Sequence, residues 1–197
     1  RRAPISSLDE ETDYTLKSQN MGIFSSVGKK LTNLDFIHFG LRYDTFDKSM
    51  DRSKKSSFIP GGITPYDETK DFSSLSPSIQ WRRTLGEFTE GVARATYSEK
   101  PGGFSAYTNN DAQVMFSEEK NMAYELGILF NPSEKIGINL TAFINKIENY
   151  QFELPDRNDP FRSDYYVANA DEVTAQGLEI EGFMKPSDSF TLSLTYG

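Results

Sequence analysis

The side chains best equipped for chemistry are few. His38 is the one histidine, and Asp35 and Asp44 flank it closely in sequence. A His–carboxylate pair can activate water, but hydrolysis also needs a nucleophile and an oxyanion donor, and neither is identifiable nearby. No catalytic residue is therefore assigned. Hard oxygen ligands cluster at Asn109-Asn110-Asp111 and at Asp156-Arg157-Asn158-Asp159. Neither cluster has the spacing and closing Glu of a calcium loop, so both are expected to make turns and no metal site is assigned. Gly61-Gly62 and Gly102-Gly103 lead into no Walker or dinucleotide pattern and are read as turn glycines, which leaves no cofactor site. The densest basic run, Arg52-Ser53-Lys54-Lys55, is read as a solvated loop. The remaining candidates are His38, Arg42, Arg94, Glu179 and Glu181, all at polar positions within alternating segments.

Those segments are β-strands. Between Leu34 and Tyr43 one face carries Ile37, Phe39, Leu41 and Tyr43, and the other carries Phe36, His38, Gly40 and Arg42. Ile136, Ile138, Leu140, Ala142 and Ile144 alternate with Gly137, Asn139 and Thr141. Leu178, Ile180, Gly182 and Met184 alternate with Glu179, Glu181 and Phe183, and Phe190, Leu192, Leu194 and Tyr196 with Thr191, Ser193 and Thr195. A period of two places one apolar and one polar row on opposite faces of a sheet. The pattern predicts about eight strands, at 19–29, 34–46, 75–83, 88–98, 123–130, 136–152, 173–185 and 189–197. The intervals at 30–33, 84–87, 131–135 and 186–188 are tight and rich in turn residues. Those at 47–74, 99–122 and 153–172 are long and polar. Strict alternation of short and long connections suits a transmembrane barrel, with short turns on the periplasmic side and long loops outside.

Composition agrees once that geometry is allowed for. Hydrophobic residues make up 37% of the 197 and the mean hydropathy is −0.56. No run is long and apolar enough for a transmembrane helix, but a barrel needs apolar residues only at alternate positions. A net charge of −8 disfavours nucleic acid as a partner, since phosphate neutralisation needs clustered Lys and Arg. Cysteine is absent, which excludes disulfide frameworks. Phe88, Phe130 and Phe190 fall beside the short turns, and Tyr43, Phe46, Tyr97 and Tyr150 towards the long loops, as two interfacial girdles would require. On the residues alone, another outer-membrane barrel (a pore or a hydrolase) and a soluble β-rich binding module stay open.

Several segments resemble a known family. Tyr97-Ser98-Glu99-Lys100-Pro101-Gly102-Gly103-Phe104 is similar to the strand-to-loop motif of TonB-dependent outer-membrane receptors. Phe39-Gly40-Leu41-Arg42-Tyr43-Asp44, Tyr124-Glu125-Leu126-Gly127 and Gln176-Gly177-Leu178-Glu179-Ile180-Glu181 resemble further strands of that family, in its order. The resemblance implies a barrel of ~22 strands around a globular plug. Residues 1–197 would then be an internal part of the barrel domain, with the plug domain and closing strands lying outside it. It further implies the bacterial outer membrane, TonB and its inner-membrane energising complex as partners, and an extracellular small-molecule ligand, by default a ferric siderophore. Under it, His38, Arg42, Arg94, Glu179 and Glu181 are candidates for lumen-facing contact with the plug. The loop aromatics Phe58, Tyr66, Phe104, Tyr107 and Phe161 would either stack on ligand or pack the loops together.

Overall fold

The structure, a computed structural model, describes residues 10–56, 64–157 and 164–197. In chain order the elements are β1 (Glu10–Lys30), β2 (Asp35–Ser56), β3 (Tyr66–Gly86), β4 (Thr89–Lys100), β5 (Gly103–Phe104), a 3-10 turn (Asp111–Gln113), β6 (Met115–Phe116), β7 (Glu119–Ser133), β8 (Ile136–Pro155), β9 (Tyr165–Ser187) and β10 (Phe190–Tyr196). Eight strands form one antiparallel meander, β1-β2-β3-β4-β7-β8-β9-β10. Strands β5 and β6 make a separate two-stranded hairpin. Each of the eight expected strands is present, and the tight connections fall where the turn residues lie. Among the described residues the meander stays open, with β1 and β10 each paired on one side only.

The strands are much longer than alternation suggested. Ladder β1–β2 runs unbroken from Lys30↔Phe36 to Glu10↔Ser56, and β9 alone is 23 residues long. At ~3.3 Å per residue such a strand reaches about 75 Å, over twice the ~30 Å of a hydrocarbon core. Much of the expected loops 47–74 and 153–172 is therefore paired strand. The reason is physical: past the apolar band one face meets water while the other buries charged Arg52 and Lys54 beside Met50, so polarity no longer marks the face and only the backbone ladder continues.

Continuous register fixes the faces. On one face Val27, Phe39 and Ile79 lie in one row, and Ile23, Tyr43 and Leu75 in another. Phe130, Ile138 and Gly182, then Ile128, Leu140 and Ile180, continue the same face in β7–β9. These side chains are exposed, Leu126 and Leu178 both at 64%. An apolar band with no protein over it has the composition of a surface turned to lipid. Beyond the band that face becomes acidic, and Asp47↔Asp71 and Asp51↔Asp67 stand directly opposite one another. Like charges so placed repel, and they are tolerated only where water screens them.

At the short-turn end, Thr32 organises the β1–β2 connection. Its hydroxyl accepts from the backbone N–H of Leu34 (3.1 Å) and Asp35 (3.0 Å) and donates to the Asp35 carboxylate (2.6 Å). Trp81 Nε1 donates to the same carboxylate at 3.0 Å. The Thr32 bond is the largest influence holding the Asp35 carboxyl below its ordinary pKa, with Trp81 and Arg83 adding to it against a smaller effect of burial. Trp81 thus has its ring among the apolar rows and its N–H tied to a turn, an arrangement suited to a membrane interface.

The face assignment makes a testable statement. Leu140→Arg on the apolar row should destabilise the folded protein in bilayers by roughly 2–4 kcal/mol, whereas Thr141→Arg on the opposite face should be nearly silent. Urea titration in lipid vesicles, read by heat-modifiable gel migration, measures both, and equal costs would refute the assignment.

Candidate functional site

The face opposite the apolar band carries every sequence-predicted site residue. Register places His38 opposite Gln80, Gln80 opposite Arg94 and Arg94 opposite Glu125, one row across β2, β3, β4 and β7. Arg94 joins its neighbours, donating to Gln80 Oε1 (2.8 and 3.2 Å) and to Glu125 Oε2 (3.1 Å). Arg42 is held by Asp44, two residues along its own strand, through paired bonds of 2.7 and 2.6 Å. Gly22 lies beneath that pair, and a Cβ there would collide with Asp44 and Arg42. Glu181 accepts from Asn139 Nδ2 at 3.4 Å, and Glu179 stands opposite Thr141. The candidates form a polar lining spread over the sheet rather than one cluster. Among the described residues neither expected carboxylate pairs with His38: Asp44 serves Arg42, and Asp35 is on the opposite face with Trp81. Pairs as exposed as Arg94–Glu125 contribute at most ~1 kcal/mol each.

Further from the short turns, the same face is covered. Residues 101–118, expected as a long polar loop, fold back onto it as the β5–β6 hairpin with its 3-10 turn. Met50, Phe104, Ala106 and Val114 form a buried apolar cluster with Tyr66 packed against it. Tyr66 and Phe104, two of the loop aromatics, meet edge to face at 6.2 Å and so pack the structure together. Phe58 and Phe161, like Gly61-Gly62 and Asn158–Asp159, lie outside the described residues.

Alternate residues of β2 hold the hairpin from one side. Lys48 Nζ donates to the Gly102 carbonyl at 2.7 Å. Arg52 donates to the Thr108 carbonyl (2.7 Å) and to Asp111 Oδ1 (3.1 Å). Lys54 Nζ bonds the Tyr107 carbonyl, Asp164 Oδ2 and Glu10 Oε1, each at 2.5 Å. The side chains of Arg52 and Lys54 are fully buried, which corrects the reading of 52–55 as a solvated loop. Burial pushes the Lys48 ammonium down, assisted by Lys100. It pushes the Asp164 carboxyl up, against the pull of Lys54.

Strands β8 and β9 hold the hairpin from the other side. Buried Asp156 accepts from Thr108 Oγ1 (2.9 Å) and the Asn109 N–H (2.8 Å). Gln151 Nε2 donates to the carbonyls of Pro101 and Ser117, Asn169 Nδ2 to those of Ser117 and Asn149, and the Val167 N–H to Ser105 Oγ. The hairpin is a strut across the interior face. The oxygen-rich motifs serve it: Asn110 caps the 3-10 turn, Asp111 meets Arg52, and Asp156 meets Thr108. Gly102 is a packing glycine rather than a turn glycine, because a Cβ would strike the Phe116 carbonyl and the Phe72 ring. Sequence reading missed the strut residues, although one signal was there: Lys48, Met50, Arg52 and Lys54 keep the parity of His38 and Arg42.

Removing a buried guanidinium leaves its acceptors unpaired, at roughly 1.5–3 kcal/mol for bonds to charged groups. Arg52→Ala should therefore speed protease cleavage and amide exchange within 105–114, while Lys55→Ala, whose side chain is 75% exposed, should not. Equal protection in both variants would show that Arg52 does not clamp the strut.

The sequence profile of the family described as "TonB dependent receptor-like, beta-barrel" matches residues 3–197. No curated protein sequence matches the chain. Among solved structures, the fold is similar to the ferric yersiniabactin uptake receptor FyuA from Yersinia pestis, with a TM-score of 0.78 at 15% identity, over 94% of this chain and 27% of that one. The ferric-catecholate import receptor Fiu from E. coli K12 matches with a TM-score of 0.65 at 14% identity, over 92% of this chain and 28% of that one. The copper transporter OprC gives 0.65 at 14% identity, over 90% and 28%. At such identities the likeness establishes the fold, and the chain spans little more than a quarter of each of these proteins.

Proposed function

The chain belongs to the TonB dependent receptor-like β-barrel family, and on that premise we propose that it is part of the wall of an outer-membrane receptor importing a scarce nutrient, a ferric siderophore first among the candidates. Ligand binds on the outside, and movement of a plug domain, driven through TonB and the inner-membrane energising complex, opens the way inward. The observation that carries this reading is the two-faced sheet: a bare apolar band on one side, a polar lining and a clamped strut on the other. Solved structures of like fold include proteins named for ferric yersiniabactin and ferric-catecholate uptake, which supports iron complexes as the cargo.

Deletion of the gene should abolish growth on one ferric siderophore as sole iron source, and a strain lacking TonB should show the same defect. Growth unchanged on every iron complex, with loss of copper accumulation instead, would move the reading to another metal.

The plug, in this reading, presses on the polar face that carries His38, Arg42, Arg94, Glu179 and Glu181. The half-exposed Arg94 and Glu125, at 44% and 37%, suit a surface that a second domain completes. In the natural full-length protein, a thiol introduced by Glu179→Cys should react slowly with a membrane-impermeant maleimide, and quickly once the plug domain is deleted. Fast labelling in both forms would rule out contact there.

A further inference from the structure

Residues of β1, the strut, β8 and β9 together line a cavity of about 430 Å³. Tyr14 of β1 and Tyr107 of the strut meet edge to face at 5.4 Å, with their hydroxyls bonded at 2.9 Å. Tyr165 and Tyr166 of β9 and Glu153 of β8 also line it. Three of these rings offer surface to solvent: Tyr14 is 41% exposed, Tyr107 46% and Tyr165 51%. Ring faces carry negative quadrupole density and attract cations.

Charge points the same way. Among the described residues no Lys or Arg lines the cavity, while Glu153 and Asp164 do. Lys54, which bonds the lining residues Asp164 and Tyr107, is fully buried and also paired with Glu10. Arg52 is likewise committed beneath the strut. An entering anion would find no free donor cation among these residues and would face a carboxylate. A cation would find π-faces and that carboxylate, and the strut fixes the floor in advance.

We propose that this tyrosine-walled cavity binds a partly apolar small molecule carrying positive charge. The inference rests on the uptake reading and sharpens it: within ferric siderophores it selects complexes of net positive charge, such as an amine-bearing trishydroxamate, over tris-catecholate trianions.

The test uses the natural full-length protein in detergent and four probes. These are ferrioxamine B (a monocation), a ferric tris-catecholate (a trianion), and two xanthene dyes of opposite charge, rhodamine 6G and fluorescein. Cationic probes should bind at least about tenfold more tightly than their anionic counterparts, with a preference that shrinks as salt rises. Tyr165→Ala should weaken cation binding about tenfold, Tyr165→Phe should preserve it, and Glu153→Gln should weaken it about threefold. Wild-type heat-modifiable migration would show that each variant is folded. Anionic probes bound equally or more tightly, no binding of either cation, or folded Tyr165→Ala and Glu153→Gln variants of unchanged affinity would overturn the proposal. Rhodamine bound selectively with neither iron complex held would uphold the cavity's charge preference and remove the siderophore reading. A ferric catecholate both bound and imported would do the reverse.

Discussion

Backbone N–H and C=O groups cannot be left unpaired in hydrocarbon, where each costs several kcal/mol, and sheet pairing is the only means these strands have of satisfying them. The unbroken ladder from Lys30↔Phe36 to Glu10↔Ser56 shows how fully that demand is met between β1 and β2. Once the ladder is fixed, the period of two follows, and with it the division of side chains between two media. Ile37 must face what Ile79 would face and His38 what Gln80 faces, since each ladder locks the parity of its neighbour. One slip would carry Arg94 into the apolar band and Leu126 onto the polar lining. The apolar rows and the polar rows are therefore one constraint seen from two sides.

That constraint also explains where the packed core is. In the proposed reading, a sheet with lipid on one side and a wet interior on the other has no apolar layer to bury. Among the described residues, the buried hydrophobics accordingly gather at the mouth, at Met50, Phe104, Ala106 and Val114. There the hairpin supplies the second layer that a sheet otherwise lacks. Buried Arg52 and Lys54 direct their terminal nitrogens to carbonyls and carboxylates of the elements they join, although Arg52 Nε has no hydrogen-bond partner among the described residues. Buried charge so placed gives specificity of position more readily than net stability. It fixes which carbonyls of the hairpin sit against which rung of β2.

Legibility in the sequence tracked this division closely. Within the band, side-chain chemistry alternates because the two media differ, so the strands around Ile37–Tyr43, Ile136–Ile144 and Leu178–Met184 could be read residue by residue. Outside it the covered face carries Arg52 and Lys54 as well as Met50, so polarity does not report burial, and 47–56 looked like a loop although it is paired strand throughout. That His38, Arg42, Arg94, Glu179 and Glu181 share the face opposite the apolar rows was readable because it rests on the strand period alone. The partners Gln80, Glu125 and Asn139 were not, since cross-strand register is set by long-range pairing. The strut was least legible: its clusters Asn109-Asn110-Asp111 and Asp156 have the composition of turns or calcium loops, and their use depends on Arg52 and Thr108 arriving from elsewhere.

A clamped strut has a consequence for recognition. Ordering a loop on binding costs free energy that weakens affinity, and a wall fixed beforehand avoids that cost. Tyr107 is carried on a segment bonded to β2 on one side and to β8 and β9 on the other, so its ring position is set before any ligand arrives. The cations that fix it are spent in doing so, and among the described residues the charge left to face the cavity is acidic. In this mouth the electrostatics offered to a ligand are thus the remainder of the electrostatics that hold the wall in place. A change in the clamp at Lys54 would alter both together, whereas a change at Glu153, which bonds no strut residue among those described, would alter recognition alone.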